Sequence, residues 1–133
     1  MAYLLDTNIC IYLTKNQPAR VKEKFLSIDK KLIFISSITV AELEYGVEKS
    51  AYLKKNEEAL REFLSEITII NFDAPAAAHY GNIRASLEKQ GTPIGSNDLL
   101  IAAIAKCADL TLITNNEREF GRVAGLKIEN WVK

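Results

Sequence analysis

Apolar residues along this chain form short runs of β-strand character that alternate with longer stretches of helical spacing. Five short runs predict strands at residues 3–5, 32–35, 67–70, 110–113 and 126–128. Strands that alternate with helices are typical of a parallel sheet whose two faces are covered by helices. The pattern therefore predicts a three-layer α/β/α sandwich built on a parallel sheet of about five strands.

Between the predicted strands, apolar residues recur at spacings of three and four, which indicates amphipathic helices. Three such helices have the apolar stripes Val21, Phe25 and Ile28; Leu53, Leu60, Phe63, Leu64 and Ile67; and Ala76, Tyr80, Ile83 and Leu87. Residues 97–107 are apolar nearly all round, and a turn at residues 91–96 leads into them. This helix is expected to be the most buried.

The composition is typical of one soluble globular domain spanning residues 1–133, with 48% apolar and 26% charged residues. Lys+Arg and Asp+Glu are 17 each, so binding to nucleic acid would need a local patch rather than a bulk field. Cys10 and Cys107 lie in apolar helical segments, which predicts free thiols in a reducing compartment. The start of the chain has no basic signal-peptide region, and the longest apolar run, 99–105, is too short for a bilayer. A cytoplasmic protein with no membrane segment is expected.

The first predicted strand ends in an acid, Asp6, and passes directly into a helix. This position lies at the carboxyl edge of the predicted sheet, where open α/β folds bind their ligands. A carboxylate is costly to bury there unless it is paired or holds a cation. Asp6 is therefore the first candidate ligand of an acidic cation site.

Further acids follow a strand or begin a helix at three other places, namely Glu42, Asp98 and the pair Glu117 and Glu119. Loops after the strands of a parallel sheet open on one edge, so these carboxylates are expected to converge. They would then repel one another and raise one another's pKa unless a cation neutralises them. Ligands that are all oxygen favour Mg²⁺ or Mn²⁺ over zinc.

Each acid taken singly also has an ordinary structural explanation. Glu42 follows Thr39 by three residues, so it could complete a capping box. Asp98 could complement the positive end of a helix. Glu117 and Glu119 could be solvated surface charges.

A carboxylate site of this kind suits phosphodiester hydrolysis, because a divalent cation lowers the pKa of water and stabilises charge on the phosphate. Other hydrolytic chemistries fit the chain poorly. Its single histidine, His79, lies mid-helix and is explained as a polar residue of the helix face, and there is no phosphate-binding glycine loop. Phosphatases of the haloacid-dehalogenase type need a second Asp two residues after the first, and this chain has Asn8 there.

The ordered set of short motifs resembles the PIN-domain ribonucleases, specifically the VapC-type toxins of bacterial toxin–antitoxin pairs. The resemblance covers almost the whole chain, and its segments lie at residues 4–8, 36–46, 80–85, 91–98, 114–120 and 129–131. Each segment is weak evidence by itself, but their order and spacing together are highly specific.

By position, the resemblance implies that Asp6, Glu42 and Asp98 are the three principal metal-site acids. Many PIN domains carry a fourth acid, an Asp shortly after the fourth strand, where this chain has Asn116. Related toxins often have a Glu at the position of Glu119, which would supply the missing charge as a fourth catalytic and metal-binding acid.

Four further polar residues are candidates. Asn8, Thr114 and Asn116 could orient the metal-binding acids. Asn8 could instead be a helix cap, and Thr114 could instead be a strand-end hydroxyl. Arg84 could contact an RNA phosphate bidentately. It could equally form a surface ion pair with Glu88, four residues further along the helix.

The resemblance implies a Mg²⁺- or Mn²⁺-dependent endoribonuclease that forms a homodimer and is inhibited by a VapB-type antitoxin. The most similar toxins act on the anticodon stem-loop of tRNA, with initiator tRNA the leading candidate. The alternative is a non-catalytic PIN-like module that binds RNA or protein. The occupancy of the fourth acid position separates these two hypotheses.

Overall fold

Five parallel strands form a single sheet in the computed structural model, which describes residues 1–133. The strands are β1 (Tyr3–Leu5), β2 (Ile33–Ser36), β3 (Thr68–Ile70), β4 (Thr111–Ile113) and β5 (Ile128–Glu129). Their order across the sheet is β3-β2-β1-β4-β5, and every neighbouring pair is parallel. The first strand therefore lies at the centre, next to the second and the fourth.

Seven helices connect the strands and cover the sheet. They are α1 (Thr7–Lys15), α2 (Ala19–Leu26), α3 (Ser37–Glu48), α4 (Leu53–Ser65), α5 (Ala74–Gln90), α6 (Ser96–Ala108) and α7 (Glu117–Phe120). A short 3₁₀ turn, Lys30–Leu32, precedes β2. The predicted α/β sandwich with a five-stranded parallel sheet is confirmed.

Successive residues of the central strands point into two separate cores, one on each face of the sheet. Leu4 and Leu112 pack with α5 and α6 in one core, whereas Leu5 and Ile113 pack with α1, α2 and α4 in the other. Side chains alternate between faces along a strand, so adjacent leucines must separate in this way. Both faces are thus sealed, and only the edges of the sheet remain open for polar chemistry.

Four of the five predicted strands begin too early, and in each case a turn or a helix end takes the first apolar residues. Leu32 belongs to the 3₁₀ turn before β2. The backbone amide of Leu110 donates to the carbonyl of Ala105 and closes the end of α6, and that of Leu126 donates to Val123. β3 begins at Thr68 rather than at residue 67. Apolar residues that seal helix ends resemble strand residues in a sequence pattern, because both are buried.

The predicted helical stripes are buried or partly buried except at Leu53, which is 43% exposed at the start of α4, and they differ slightly from the helices at their ends. Ile28 and Ile67 lie just beyond α2 and α4, although both pack into the same core as those helices. Residues of α6 form the most buried helix, with six buried side chains: Leu99, Ile101, Ala102, Ala103, Ile104 and Ala105. This burial fixes α6 in the core from Leu99 onward, directly after Asp98.

Both thiols are free, with Cys10 buried and Cys107 partly buried. None of the helices combines the length and apolar character needed to cross a membrane.

Candidate active site

The carboxyl edge of the sheet collects polar residues from three neighbouring strands. Asp6 directly follows β1, Ser36 ends β2 and caps α3, and Thr114 directly follows β4. The backbone continues the sheet here, since the amide of Asp6 donates to the carbonyl of Ile113 at 2.9 Å. Strand order therefore brings residues 6 and 114 side by side although 108 positions separate them.

Asp6 is the most buried of the candidate acids, at 5% exposure. Its Oδ1 accepts a hydrogen bond from the backbone amide of Thr7 at 2.8 Å, and its Oδ2 accepts one from the hydroxyl of Thr114 at 2.8 Å. Burial raises the pKa of Asp6, the two hydrogen bonds oppose this rise, and the charge of Glu42 adds to it. Both carboxylate oxygens are thus oriented, but the charge has no cationic side chain beside it.

Glu42 lies at the end of a chain of hydroxyl groups that links α3 to α1. The hydroxyl of Thr7 donates to Oε1 of Glu42 at 2.6 Å and lies 3.1 Å from the hydroxyl of Thr39. The hydroxyl of Ser36 donates to that of Thr39 at 3.3 Å. Because each hydroxyl has one proton, the chain runs from Ser36 through Thr39 and Thr7 to Glu42, which accepts at its end.

The capping-box explanation of Glu42 is wrong, because α3 begins three residues earlier than that explanation requires. Ser36 is the N-cap, and its hydroxyl accepts from the backbone amide of Thr39 at 3.0 Å. Glu42 is therefore an interior helical residue that faces the site.

Asp98 lies in the first turn of α6 and is half-buried among the other acids. Burial, followed by repulsion from Asp6 and Glu119, raises the pKa of Asp98 from 3.8 to about 7. When protonated, its carboxyl lies within hydrogen-bonding reach of Glu119. A helix N-terminus by itself would lower this pKa, so burial and the nearby negative charges together outweigh the effect of the helix.

The segment at residues 114–117, here called the rim loop, runs from the end of β4 to the first residue of α7 and positions Glu119. The backbone amide of Asn116 donates to the hydroxyl of Thr114 at 2.9 Å, and Nδ2 of Asn116 donates to Oε2 of Glu119 at 2.7 Å. Glu117 points away and pairs with Lys133 at 2.8 Å. The structure thus separates the two glutamates that the sequence could only group together.

The chemistry of these donors fits a divalent cation with a preference for oxygen, such as Mg²⁺ or Mn²⁺. All four side chains offer carboxylate oxygens as ligands. The pKa of Asp98 is raised in part by the other acids, and no basic side chain opposes this rise. The carboxylates do not form a closed ligand shell, since no three His, Cys, Asp or Glu side chains are arranged to hold a metal. Asp6, Glu42 and Glu119 are instead each held by a hydroxyl, amide or backbone donor, whereas Asp98 has no such donor.

Two other candidate residues lie outside this cluster. Asn8 is exposed on α1 and takes no part in the hydrogen bonds that hold the acids, and Asp6 rather than Asn8 is the N-cap of α1. Arg84 forms the surface ion pair with Glu88 at 3.0 Å and donates to the hydroxyl of Tyr80 at 2.9 Å.

Sequence patterns gave no role to the hydroxyls of Thr7 and Ser36, or to Asn130, whose amide contacts the rim loop. The sequence did contain a signal for Ser36. It is a polar residue directly after a predicted strand, just as Asp6 is the polar residue directly after the first strand. The roles of Thr7 and Asn130 depend on contacts between distant segments, which no local pattern encodes.

A family model of the PIN domain matches residues 3–126. The chain belongs to the PIN-domain family. The matched region contains all four candidate acids and both neighbours that orient them from the rim loop, Thr114 and Asn116.

This PIN domain is similar over almost its whole length to VapC proteins. It is 49% identical to Ribonuclease VapC2 of Haemophilus influenzae over 132 residues, covering 99% of each chain. It is 46% identical to the tRNA(fMet)-specific endonuclease VapC of Shigella flexneri over 131 residues, covering 98% of each. The crystal structure of VapBC2 from Rickettsia felis, bound to a DNA fragment from their promoter, matches with a TM-score of 0.92 and 44% identity, covering 98% of this chain and 99% of that one. Within the PIN-domain family, the chain is thus of the VapC type.

Proposed function

We propose that this protein is an endoribonuclease toxin that requires Mg²⁺ or Mn²⁺ and cleaves tRNA. The observation that carries the proposal is that Asp6, Glu42 and Glu119 all lie near enough to Asp98, at one edge of the sheet, for their charges to repel its carboxylate. Burial and the repulsion among these acids raise the pKa of Asp98 to about 7. An uncompensated acidic cluster at the carboxyl edge of a parallel sheet is typical of a functional site rather than of a structural ion pair.

The four acids would hold the cation, and the surrounding residues set their orientation. When bound, the cation would activate water for attack and neutralise charge on the scissile phosphate and the leaving oxygen. Thr114 fixes one oxygen of Asp6, Thr7 fixes one oxygen of Glu42, and Asn116 fixes one oxygen of Glu119. These neighbours reduce the motion of the carboxylates at the reacting centre, which preorganises the site.

An RNA substrate is supported by the lack of a substantial pocket that encloses the four acids together. One depression among α1, α2 and α4 contains none of the acids, and another of similar size among α1, α3 and α4 contains Glu42 but not the other three. A shallow site accommodates a segment of a polymer better than a small molecule, which needs a pocket that encloses it. The similarity to proteins named ribonuclease and endonuclease favours cleavage over the alternative of a non-catalytic binding module.

Transfer RNA is the substrate class that we propose, with the anticodon loop of initiator tRNA as the leading candidate. The support is the name of the Shigella relative, a tRNA(fMet)-specific endonuclease. A hairpin loop presents unstacked bases on a defined backbone, which is how proteins read sequence in RNA.

A VapB-type antitoxin is the proposed partner, since the similar Rickettsia structure is of VapBC2 on promoter DNA. We also propose that the protein is a homodimer in the cytoplasm. The antitoxin would inhibit this toxin until the antitoxin is removed.

The deciding experiment incubates the purified protein with initiator tRNA in Mg²⁺, in Mn²⁺ and in EDTA, with Asp6→Asn as the inactive control. We expect one cut in the anticodon loop that depends on the metal. The new ends should be a 5′-phosphate and a 3′-hydroxyl, because water rather than the ribose 2′-hydroxyl is the nucleophile. Ends with a 2′,3′-cyclic phosphate, or equal cleavage in EDTA, would contradict the mechanism, and binding without cleavage would favour the non-catalytic alternative.

A further inference from the structure

A carboxamide in the segment after β5 reaches back to the rim of the acidic site. Nδ2 of Asn130 donates to Oδ1 of Asn115 at 3.1 Å and to Oε2 of Glu117 at 3.0 Å. Its Oδ1 accepts from the backbone amide of Val132 at 2.8 Å. Since the nitrogen and the oxygen of Asn130 both have protein partners, the orientation of the carboxamide is fixed by the protein.

The contacts of Asn130 fall on alternate residues of the rim loop. Asn130 contacts Asn115 and Glu117, whose side chains point outward. The other two residues of the loop, Thr114 and Asn116, contact the acids. All four residues share one short stretch of backbone, so a shift of the outward side chains also moves the inward ones. Asn130 is thereby linked to the orientation of the acids without touching them.

The segment that carries Asn130 is itself firmly attached to the fold. Trp131 is 1% exposed, and its ring packs against the ring of Tyr3 with centroids 5.9 Å apart. The carbonyl of Glu129 accepts from the backbone amide of Thr114 at 3.0 Å and extends the pairing of β4 with β5. Asn130 thus connects the packed core to a loop that projects from the edge of the sheet.

We propose that Asn130 is a positioning residue of the nuclease site. It fixes the rim loop so that Thr114 and Asn116 hold their acids ready for the divalent cation. The assignment rests on the proposed function, because it gives Asn130 a purpose at that metal site. Asn130 acts through the rim loop and contacts neither RNA nor the cation.

The first test measures Mn²⁺ binding to the RNA-free protein by electron paramagnetic resonance, together with kcat and KM for tRNA. Asn130→Ala should weaken Mn²⁺ binding and lower kcat about tenfold each, the effect typical of losing a group that orients metal ligands. KM should stay within about twofold, because RNA contacts are retained. The matched control is Lys133→Ala, which removes an exposed ion pair to Glu117 and should change each quantity by less than about twofold.

The second test needs neither metal nor RNA. The backbone amide of Asn116 donates to the hydroxyl of Thr114 at 2.9 Å, so its hydrogen exchange reports the order of the rim loop. Exchange at Asn116 should be faster in Asn130→Ala and unchanged in Lys133→Ala. Asn115→Ala removes one of the same contacts at an exposed position, and it replaces Asn130→Ala if that variant does not fold.

Wild-type Mn²⁺ affinity and wild-type exchange at Asn116 in both Asn130→Ala and Asn115→Ala would overturn the role of Asn130. A different result would overturn the proposed function: wild-type protein that neither binds Mn²⁺ nor cleaves RNA. In that case faster exchange at Asn116 would still show that Asn130 orders the loop, but its purpose at a metal site would be excluded.

Discussion

At the scale of single residues, this site is a set of carboxylates that polar neighbours orient but do not neutralise. Asp6 has hydroxyl and backbone donors to both oxygens, and Glu42 has a hydroxyl donor. Asp98 has a raised pKa because it is partly buried and lies near other acids. Hydrogen bonds fix direction at little cost, whereas only a cation can offset the net charge.

Replacing Asp6 with Asn separates charge from shape. Asn is nearly isosteric, but it gives up the charge that balances a cation, so RNA cleavage and toxicity should be abolished. The melting temperature without metal should rise or stay level, because a buried charge and its repulsion of Glu42 and Asp98 are removed. Calorimetry in EDTA measures the melting temperature, and a cleavage assay measures the activity. Full activity of the purified variant would remove Asp6 from the mechanism.

The fourth acid is tested by a pair of changes in the rim region. If Glu119 supplies the fourth charge, Glu119→Gln should weaken Mg²⁺ affinity about tenfold or more. Asn116→Asp replaces the amide that donates to Glu119 with a further carboxylate, so the metal-free protein should be less stable, while Mg²⁺ binding should be retained because a cation offsets the added charge. Metal titrations of both variants measure this. Unchanged affinity in Glu119→Gln would leave a site of three acids.

Asp98 makes the stability of the metal-free protein depend on pH. Its pKa is 3.8 ordinarily and about 7 in the fold, so between these values the folded state binds more protons than the unfolded state. The contribution of Asp98 to stability therefore falls as pH rises through this window and is fully present only below it. Urea denaturation in EDTA between pH 4 and 7 should show a shallower decline for Asp98→Asn than for wild type. Identical slopes in the two proteins would exclude Asp98 as the titrating group.

At the scale of elements, the site is built where strands end and helices begin. Ser36 is both the last residue of β2 and the cap of α3, so one residue ends the sheet and begins the helix that carries Glu42. The rim loop does the same between β4 and α7. Short connections at this edge leave the acids little freedom to move apart.

Ser36→Ala tests how much the cap of α3 contributes. The hydroxyl is fully buried and accepts from the backbone amide of Thr39, so its loss should lower the free energy of unfolding by about 1 kcal/mol. Urea denaturation with an unchanged m-value measures this. The control is Ser65→Ala at an exposed helix end, which should stay within about 0.5 kcal/mol of wild type. Equal effects of the two substitutions would mean that the cap contributes nothing particular.

At the scale of the whole molecule, the net charge is zero and the site is acidic, so electrostatic attraction alone will not bind RNA. Recognition has to come from shape and from unstacked bases. We therefore expect poor binding and slow cleavage of an unstructured RNA that has the sequence of the anticodon loop. Folded tRNA should be cut efficiently under the same conditions. Competition assays at fixed salt compare the two RNAs, and indiscriminate degradation of both would contradict recognition of a folded shape.

The amino-acid sequence by itself determined the class of fold and the first acids. The alternating direction of side chains along a strand separates Leu4 from Leu5 onto two faces, and the alternation of strands with helices favours a parallel sheet. Asp6 could be placed at the carboxyl edge because strand and helix adjoin it directly. These features depend on short-range periodicity, which a pattern records. Strand ends were less accurate, since burial at a helix end, as for Leu110, looks the same as burial in a strand.

Only the tertiary structure decided which polar groups meet. The order β3-β2-β1-β4-β5 puts Thr114 against Asp6, and nothing local in either segment specifies that pairing. It also turned Glu119 towards Asp98 and Glu117 towards Lys133, two outcomes that depend on the path of a four-residue helix. Hydrogen-bond partners are chosen by distance and direction after the core has packed. A sequence pattern therefore identifies the acids, while the packed fold decides which of them share a site.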